Sequence, residues 1–324
     1  MPHSLIAVRV LAWAAMNAPL LRPIAPLAAA LALFALPAPA HACSVCGCGD
    51  PLVDAASAMP TKGRVRLSLS LTSLTASARS DDDPAMTESL FQLTLEPTLV
   101  YSPSERVNVV LSLPIERKAW QLAGGGAPAE RLTPMGIGDA DLGARYFLWQ
   151  RSSWGSGSRQ NLAVFAGTSL PTGPDDAQLG GVRIDDHAQL GTGSFGPYAG
   201  VLYAYHRDPW NLFASVSARV HTTNLYGYHY ASALLWAVRG QYRPFDWAAF
   251  ELGVDGRYNG QDTADGDVQV NTGGLVLDAS PGVMLRITGE LWLHLRAQIP
   301  FATKLNGVQT VGPTFAGFLQ YTFG

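Results

Sequence analysis

The segment VRLSLSL, residues 65–71, alternates apolar and polar side chains at every position. Its valine and three leucines would point to one face of a strand, and Arg66 with two serines to the other, because strand side chains alternate between faces. A strand of this kind separates an apolar surface from a polar one. The segment therefore predicts a β-sheet with two chemically different faces.

The same alternation recurs along the chain in segments of about ten residues, the length of a tilted strand that crosses a membrane. Beyond residue 60, no unbroken apolar run approaches the roughly 20 residues that a membrane helix needs. The predicted strands lie near residues 65–71, 91–99, 107–113, 140–148, 160–170, 194–205, 210–222, 231–242, 247–259, 274–288, 290–300 and 311–323.

The connections between these strands alternate in length. Short turns are predicted at residues 102–105, 206–209, 243–247 and 288–289, with 150–160 as a longer member of the set. Long polar loops are predicted at residues 78–88, 117–136, 171–190, 223–231 and 259–273. Short turns at one end and long loops at the other are typical of bacterial outer-membrane barrels.

Aromatic residues mark the short-turn end, as expected of a girdle at a membrane interface. They are Tyr101, Trp149, Tyr205, Trp210, Tyr242, Trp247, Tyr321 and Phe323. A soluble β-sandwich would alternate too, but it would not need aromatics at one level. The chain is therefore predicted to be all-β, a single transmembrane antiparallel up-and-down barrel of about 12 strands (roughly 10–14) over residues 64–324.

The first 42 residues have the features of a secretory signal peptide. Arg9 and Arg22 precede a short apolar stretch, and Ala40-His41-Ala42 gives an A-x-A site before Cys43. We expect cleavage between Ala42 and Cys43, and translation that starts as late as Met16. Two alternatives are a retained helical anchor and lipidation of Cys43.

The sequence CSVCGCGDP, residues 43–51, contains all 3 cysteines of the chain. In an oxidising periplasm, a disulfide between two of them is one interpretation, with one thiol left over. Three thiolates could instead bind Cu(I), or Zn with a fourth ligand such as Asp50. Cys43, Cys46, Cys48 and Asp50 are thus disulfide or metal candidates, in a segment, 43–63, predicted to be periplasmic or to enter the lumen as a plug.

Polar residues of the alternating strands are expected to face the lumen. Acids and bases are mixed among them, which favours ion pairs that stiffen the barrel, or a polar path for a small solute, over a strongly charge-selective pore. The lumen-lining candidates are Arg66, Glu96, Asp139, Asp141, Arg145, Arg219, Glu251, Asp255, Arg257, Asp278, Arg286, His294 and Arg296.

Other classes of function find little support. The chain has a formal net charge of -3, which does not favour nucleic-acid binding. The glycines of LGTGSFG (190–196) lack the strand-loop-helix setting of a phosphate loop and more often mark bends or close backbone approach. No nucleophile elbow occurs in a suitable context, so we expect no catalytic residues and no enzyme activity. No cofactor is expected beyond possible Cu(I) or Zn at the cysteines.

The motifs GIGDADLGARYFLW (136–149), SLPTG (169–173), LGTGSFGPYAG (190–200) and a final YTFG resemble a known family. It is the MetA-pathway of phenol degradation family of outer-membrane β-barrel proteins, and the resemblance covers roughly residues 90–324. It implies an outer-membrane barrel with proposed transport of small, aromatic or hydrophobic compounds. The cysteine segment is not part of the barrel pattern.

These observations predict a passive channel or transporter for small solutes in the outer membrane of a Gram-negative bacterium. The alternatives are a metal-handling barrel that uses the cysteines and a structural or receptor barrel. The expected partners are outer-membrane lipid, a small-molecule solute and the barrel-assembly machinery, with no nucleic acid.

Overall fold

The computed structural model describes residues 62–80, 85–153, 155 and 157–323. The predicted signal peptide 1–42 and the predicted disulfide or metal candidates Cys43, Cys46, Cys48 and Asp50 lie outside these described residues. Within them, the helical structure is one 3-10 turn, Asp186–Ala188. Nothing helical in this part of the chain is long and apolar enough to cross a membrane.

Strands account for almost all of the regular structure. In chain order they are β1 (Val65–Arg79), β2 (Met86–Ser104), β3 (Val107–Ser112), β4 (Ile115–Gly124), β5 (Ala127–Leu132), β6 (Met135–Ile137), β7 (Ala140–Ser153), β8 (Ser158–Leu170), β9 (Gln178–Leu179), β10 (Val182–Arg183), β11 (Gly196–Arg207), β12 (Trp210–Arg219), β13 (Tyr228–His229), β14 (Ala233–Phe245), β15 (Ala248–Asn259), β16 (Thr263–Ala264), β17 (Asp267–Val268), β18 (Gly274–Ala279), β19 (Gly282–Arg286), β20 (Leu291–Leu305), β21 (Gln309–Val311) and β22 (Thr314–Phe323).

These strands form a closed antiparallel barrel of twelve barrel strands, which confirms the predicted fold. The first barrel strand is β1 and the second is β2. The third consists of β3 and β4, and the fourth consists of β5, β6 and β7. The next five are β8, β11, β12, β14 and β15. The tenth consists of β18 and β19, the eleventh is β20, and the twelfth consists of β21 and β22. The barrel closes where β22 pairs with β1, from Val65 opposite Phe323 to Ser73 opposite Phe315. Closure satisfies every strand edge, as a membrane-spanning sheet requires.

Prolines interrupt four of the barrel strands. Pro114 separates β3 from β4, Pro134 separates β5 from β6, Pro281 separates β18 from β19, and Pro313 separates β21 from β22. Proline has no N–H to donate to the ladder, so the strand bends or breaks there. The carbonyl of Pro114 still accepts from Gly138 at 2.8 Å, which keeps the neighbouring strands together.

The prediction of a long loop at residues 117–136 is wrong. It consists mostly of β4 and β5, which pair as a hairpin that turns at Gly125 and Gly126, with φ of 60° and 78°. Trp120 lies opposite both Leu90 of β2 and Leu132 of β5. The strand alternation therefore continues through this region, and the run of glycines that indicated a loop provides only its tight turn.

The outer surface of the barrel is apolar, as a lipid-facing surface must be. Seven of the eight predicted girdle aromatics are exposed, and Tyr205 is half-buried. Exposed apolar side chains of the strands include Leu67, Leu69, Leu71, Leu99, Val109, Leu111, Leu142, Leu148, Val201, Val216, Leu234, Val238, Leu252, Val254 and Leu319.

Inside the barrel, one side of the lumen is filled by apolar side chains rather than by the polar set alone. Val100 is the cross-strand partner of Arg66, and cross-strand partners share a face of the sheet. Val100 therefore points inward with Arg66. The inward cluster consists of Val100, Val110, Phe147, Ala163, Phe165, Tyr198 and Leu202, with Phe213 packed against it, and we call it the apolar cluster.

Candidate functional site

The barrel encloses a cavity of about 770 Å³ in its short-turn half, which we call the lumen cavity. The exposed side chains of Arg64 and Glu290 lie at its mouth, and Thr94 and Asp278 line its deeper part. A volume of this size accommodates a drug-sized or smaller molecule. The lumen cavity is therefore large enough to hold a small solute.

Eight of the thirteen lumen-lining candidates contribute to the wall of the lumen cavity. They are Arg66, Glu96, Glu251, Asp255, Arg257, Asp278, His294 and Arg296. Arg239 and Gln298, which the sequence reasoning did not single out, line it too. They are recognisable only in the three-dimensional register, because polar residues alternate along every strand.

A first charge network in this wall is built around Glu251 of β15. Arg296 donates from Nε to Glu251 Oε1 at 2.8 Å, and Gln241 donates to Oε2 at 2.7 Å. His294 Nε2 lies 3.4 Å from the same Oε1. The carboxylate of Glu251, 6% exposed as a residue, is thus surrounded by donors. Such a pair withstands burial because its geometry and extra hydrogen bonds offset the cost of desolvation.

A second network is built around Asp255, also of β15. Arg239 of β14 donates to Asp255 Oδ1 at 2.9 Å, and Gln298 of β20 donates to Oδ2, also at 2.9 Å. The hydroxyl of Ser280 donates to the same oxygen as Gln298. Together the two networks tie β14, β15 and β20 across the intervening tenth barrel strand.

Three candidates lie inside the barrel but beside the apolar cluster instead of in the cavity wall. Arg219 approaches Asp141 at 3.6 Å, and its guanidinium lies 4.8 Å from the ring centre of Tyr198. Arg145 is fully buried, with its guanidinium 6.0 Å from the ring centre of Phe147. These groups pack against the side of the lumen that the apolar cluster fills.

The remaining two candidates have other positions. Arg286 is exposed at the short-turn rim, where its Nε donates to the carbonyl of Thr288 at 3.2 Å. Asp139 lies between β6 and β7 and accepts from the backbone N–H of Gly173 at 2.9 Å. Asp139 also accepts from the N–H and the hydroxyl of Thr192, at 2.7 and 2.6 Å. Asp139 therefore holds both ends of the loop between β8 and β11.

That loop contains a segment, residues 174–193, that folds into the loop end of the barrel, and we call it the plug segment. Ile184 and Ala188 pack on Leu90 and Trp120, which point inward from β2 and β4. Lys118 of β4 donates to the carbonyl of His187 at 3.3 Å and to that of Gln189. One side of the plug segment is thus fixed to the inner wall.

The other side of the plug segment is held by the loops at 220–232 and 260–273. His187 Nε2 lies 2.9 Å from Asp262 Oδ2, which also accepts from the Tyr228 hydroxyl at 3.0 Å. Asn224 donates to Asp186 Oδ1 at 3.0 Å, and Tyr230 donates to the Asp186 carbonyl, also at 3.0 Å. The plug segment therefore crosses the lumen from the wall of β2 and β4 to the opposite loops.

The contact between His187 and Asp262 is an ion pair. Burial opposes the charged imidazolium, but the hydrogen bond and charge of Asp262, with Asp185 and Asp186 nearby, outweigh burial and raise the pKa of His187 to about 9. Burial likewise favours the neutral acid of Asp262, yet the hydrogen bond and charge of His187 hold the pKa of Asp262 below its usual value.

Three glycines make the close packing at the foot of the plug segment possible. A Cβ at Gly191 would lie 2.2 Å from the carbonyl oxygen of Gly173, and one at Gly173 would lie 3.0 Å from the carbonyl carbon of Gly138. These glycines belong to the motifs GIGDADLG, SLPTG and LGTGSFG. The structure thus shows the close backbone approach that the glycine-rich motifs indicated. Sequence reasoning did not place the plug segment, although its length of about twenty residues is the kind that marks a functional loop.

The described residues contain no group of three or more His, Cys, Asp or Glu placed to hold a metal ion. The metal and disulfide candidates lie outside them, so the metal-handling interpretation stays a prediction.

No family model and no curated protein matches the chain. Its resemblance to the phenol-degradation family therefore stays a prediction. Among solved structures, the chain is similar to the COG4313 outer membrane channel from Pseudomonas putida F1, with a TM-score of 0.61 and 14% identity over 82% of this chain and 97% of that one. This likeness shows the fold of a bacterial outer-membrane barrel.

Two further solved structures are more distant. The CymD monoaromatic hydrocarbon channel has a TM-score of 0.40 and 10% identity, over 81% of this chain and 88% of that one. The toluene transporter TbuX from Ralstonia pickettii has a TM-score of 0.39 and 9% identity, over 81% of this chain and 89% of that one.

Proposed function

We propose that this chain is a passive outer-membrane channel for small solutes in a Gram-negative bacterium. The observation that carries the proposal is a closed twelve-strand barrel with an apolar exterior and a polar cavity of about 770 Å³ inside. The outer membrane channel from Pseudomonas putida F1, which shares the fold, supports the proposal.

The route of a solute would follow the lumen and meet the plug segment at the loop end. The plug segment is anchored by apolar contacts, hydrogen bonds and one ion pair rather than by a continuous β-ladder, so it could leave the lumen without breaking the barrel. In the proposed mechanism, the plug segment limits the permeation rate, and the lumen cavity holds the solute on the short-turn side.

The walls of the lumen cavity favour solutes with both an apolar and a polar part. Phe213, Trp292 and Phe318 line it together with the charge networks of Glu251 and Asp255. Small aromatic or hydrophobic compounds that carry a polar group match this mixture, because ligand sites combine apolar area with a few orienting polar groups.

The proposal is tested by liposome swelling with the purified full-length protein. The solutes are arabinose, serine and benzenesulfonate, which cross lipid slowly by themselves. We expect faster swelling than in protein-free liposomes, and faster still when residues 176–188 are replaced by a short glycine-serine linker. No swelling with any of these solutes, for either protein, would exclude the channel function.

A further inference from the structure

The charges of the lumen cavity are distributed unevenly between its walls. On the wall of β14, β15 and β20, Arg239 is paired with Asp255 and Arg296 with Glu251, both within 2.9 Å. Amide and hydroxyl groups complete these pairs. That wall therefore presents little uncompensated charge to a solute.

The wall of β1 is different, because the side chain of Arg66 faces the lumen cavity without an acidic partner among the described residues. Within that part of the chain the Arg66 side chain has no hydrogen-bond or ion-pair partner, although its Nε is shielded from solvent. Arg64, two residues earlier on the same face, also lines the lumen cavity and lies at its exposed mouth together with Glu290. A half-buried guanidinium with a shielded Nε and no counter-charge is unfavourable, and an anion in the cavity would relieve that cost.

An apolar surface lies directly beside this charge. Val100, the cross-strand partner of Arg66, is 3% exposed and belongs to the apolar cluster. Phe213, which packs on that cluster, also lines the lumen cavity. On the other neighbouring strand, β22, the cross-strand partner of Arg66 is Thr322, whose hydroxyl can donate to an anion. A guanidinium, a hydroxyl and an apolar surface are thus neighbours.

We propose that the lumen cavity binds small organic monocarboxylates, with the carboxylate on Arg66 and the apolar body against Val100 and Phe213. This inference rests on the proposed function and specifies its solute class. Arg66 is suited to this role because a guanidinium can donate two parallel hydrogen bonds to one carboxylate. The body of the solute, aromatic or aliphatic, distinguishes it from inorganic anions, which would gain nothing from the apolar surface.

The test is isothermal titration calorimetry on the full-length protein in detergent, with benzoate, its neutral isostere benzamide, and phosphate as titrants. We expect benzoate to bind about tenfold more tightly than benzamide, and Arg66→Gln to remove that preference by weakening benzoate alone. Phosphate should bind more weakly than benzoate to the wild type. Arg151→Gln, which changes an exposed arginine of β7 that does not line the cavity, is the matched control and should leave both affinities unchanged.

Two results would overturn the inference: equal affinity for benzoate and benzamide, or a benzoate preference that survives in Arg66→Gln. Tighter binding of phosphate than of benzoate would show a site for inorganic anions and would overturn it as well. If Arg66→Gln does not fold, Arg66→Lys keeps the test open, since it retains the charge but loses the two-pronged geometry and should weaken benzoate severalfold. Binding in detergent does not require permeation, so failure of the channel function would be seen separately as absent swelling.

Discussion

Arg296 of β20 reaches Glu251 of β15 over the backbone of Gly282, which lies between them as the cross-strand partner of both. The two side chains meet at 2.8 Å. A side chain at position 282 would intrude here, because a Cβ would lie 3.0 Å from the Leu295 carbonyl oxygen and 3.1 Å from His294 Nε2. The glycine therefore allows an ion pair to join strands that are not neighbours.

Neutralising Glu251 should destabilise the barrel. Glu251→Gln leaves the buried guanidinium of Arg296 without its counter-charge, which should lower the free energy of unfolding by about 3 kcal/mol. Urea-induced unfolding in lipid vesicles, followed by tryptophan fluorescence, measures this change. Arg243→Gln, which breaks the exposed pair with Asp208, is the control and should cost less than about 1 kcal/mol. Equal losses in the two variants would contradict this account of the network.

Removing the Asp139 carboxylate should loosen the plug segment. Asp139→Ala deletes the acceptor for two N–H groups and one hydroxyl of the loop between β8 and β11. We expect higher conductance in planar bilayers and faster tryptic cleavage at Arg183. Asp176→Ala, an exposed acid of the same segment, should leave both properties unchanged. An unaltered conductance in Asp139→Ala would show that this carboxylate does not anchor the plug segment.

The ion pair between His187 and Asp262 predicts that the plug segment loosens and the channel opens at alkaline pH. Because the pKa of His187 is raised to about 9 from 6.5, the pair contributes its full stability below the unfolded pKa and loses it as pH rises through about 9. Conductance should therefore increase between about pH 7 and pH 10.

The variant His187→Gln should remove this alkaline step, since it has no charge to lose. His229→Gln, in the neighbouring loop, should retain it. A step of unchanged position and size in His187→Gln would assign the titration to another group.

The contact between Gly191 and Gly173 predicts that a small side chain displaces the plug segment. Gly191→Ala would place its Cβ 2.2 Å from the Gly173 carbonyl oxygen, so the backbone has to move. We expect faster proteolysis of the plug segment and raised conductance, while the barrel stays folded on semi-native gels. Gly155→Ala has open space for its Cβ and should behave as wild type. Wild-type conductance in Gly191→Ala would mean that the segment tolerates the shift in place.

The barrel was predictable from the sequence because its signal is local. Leu67 and Arg66 alternate between lipid and lumen, and this alternation repeats in every barrel strand. The hairpin of β4 and β5 was missed because Gly124, Gly125 and Gly126 suggested a loop where the alternation in fact continues. The glycine content indicated a loop there, whereas the alternation of side chains indicated the strands that the structure shows.

The interior was less predictable because it depends on contacts between distant segments. The pairing of Arg296 with Glu251 joins residues 45 positions apart, and that of His187 with Asp262 joins residues 75 apart. The polar alternation that marks Glu251 as inward also marks Arg145, yet one lines the cavity and the other packs beside the apolar cluster. Which inward residue meets open space is decided by barrel register and by the side chains that fill the apolar cluster.

The central claim is that the lumen is a solute path limited by the plug segment, and planar-bilayer recording tests it most directly. The wild type should show small, discrete conductance steps, and the protein with residues 176–188 replaced by a glycine-serine linker should show clearly larger ones. Insertion of both proteins without any conductance, or identical conductance in the two, would contradict the account.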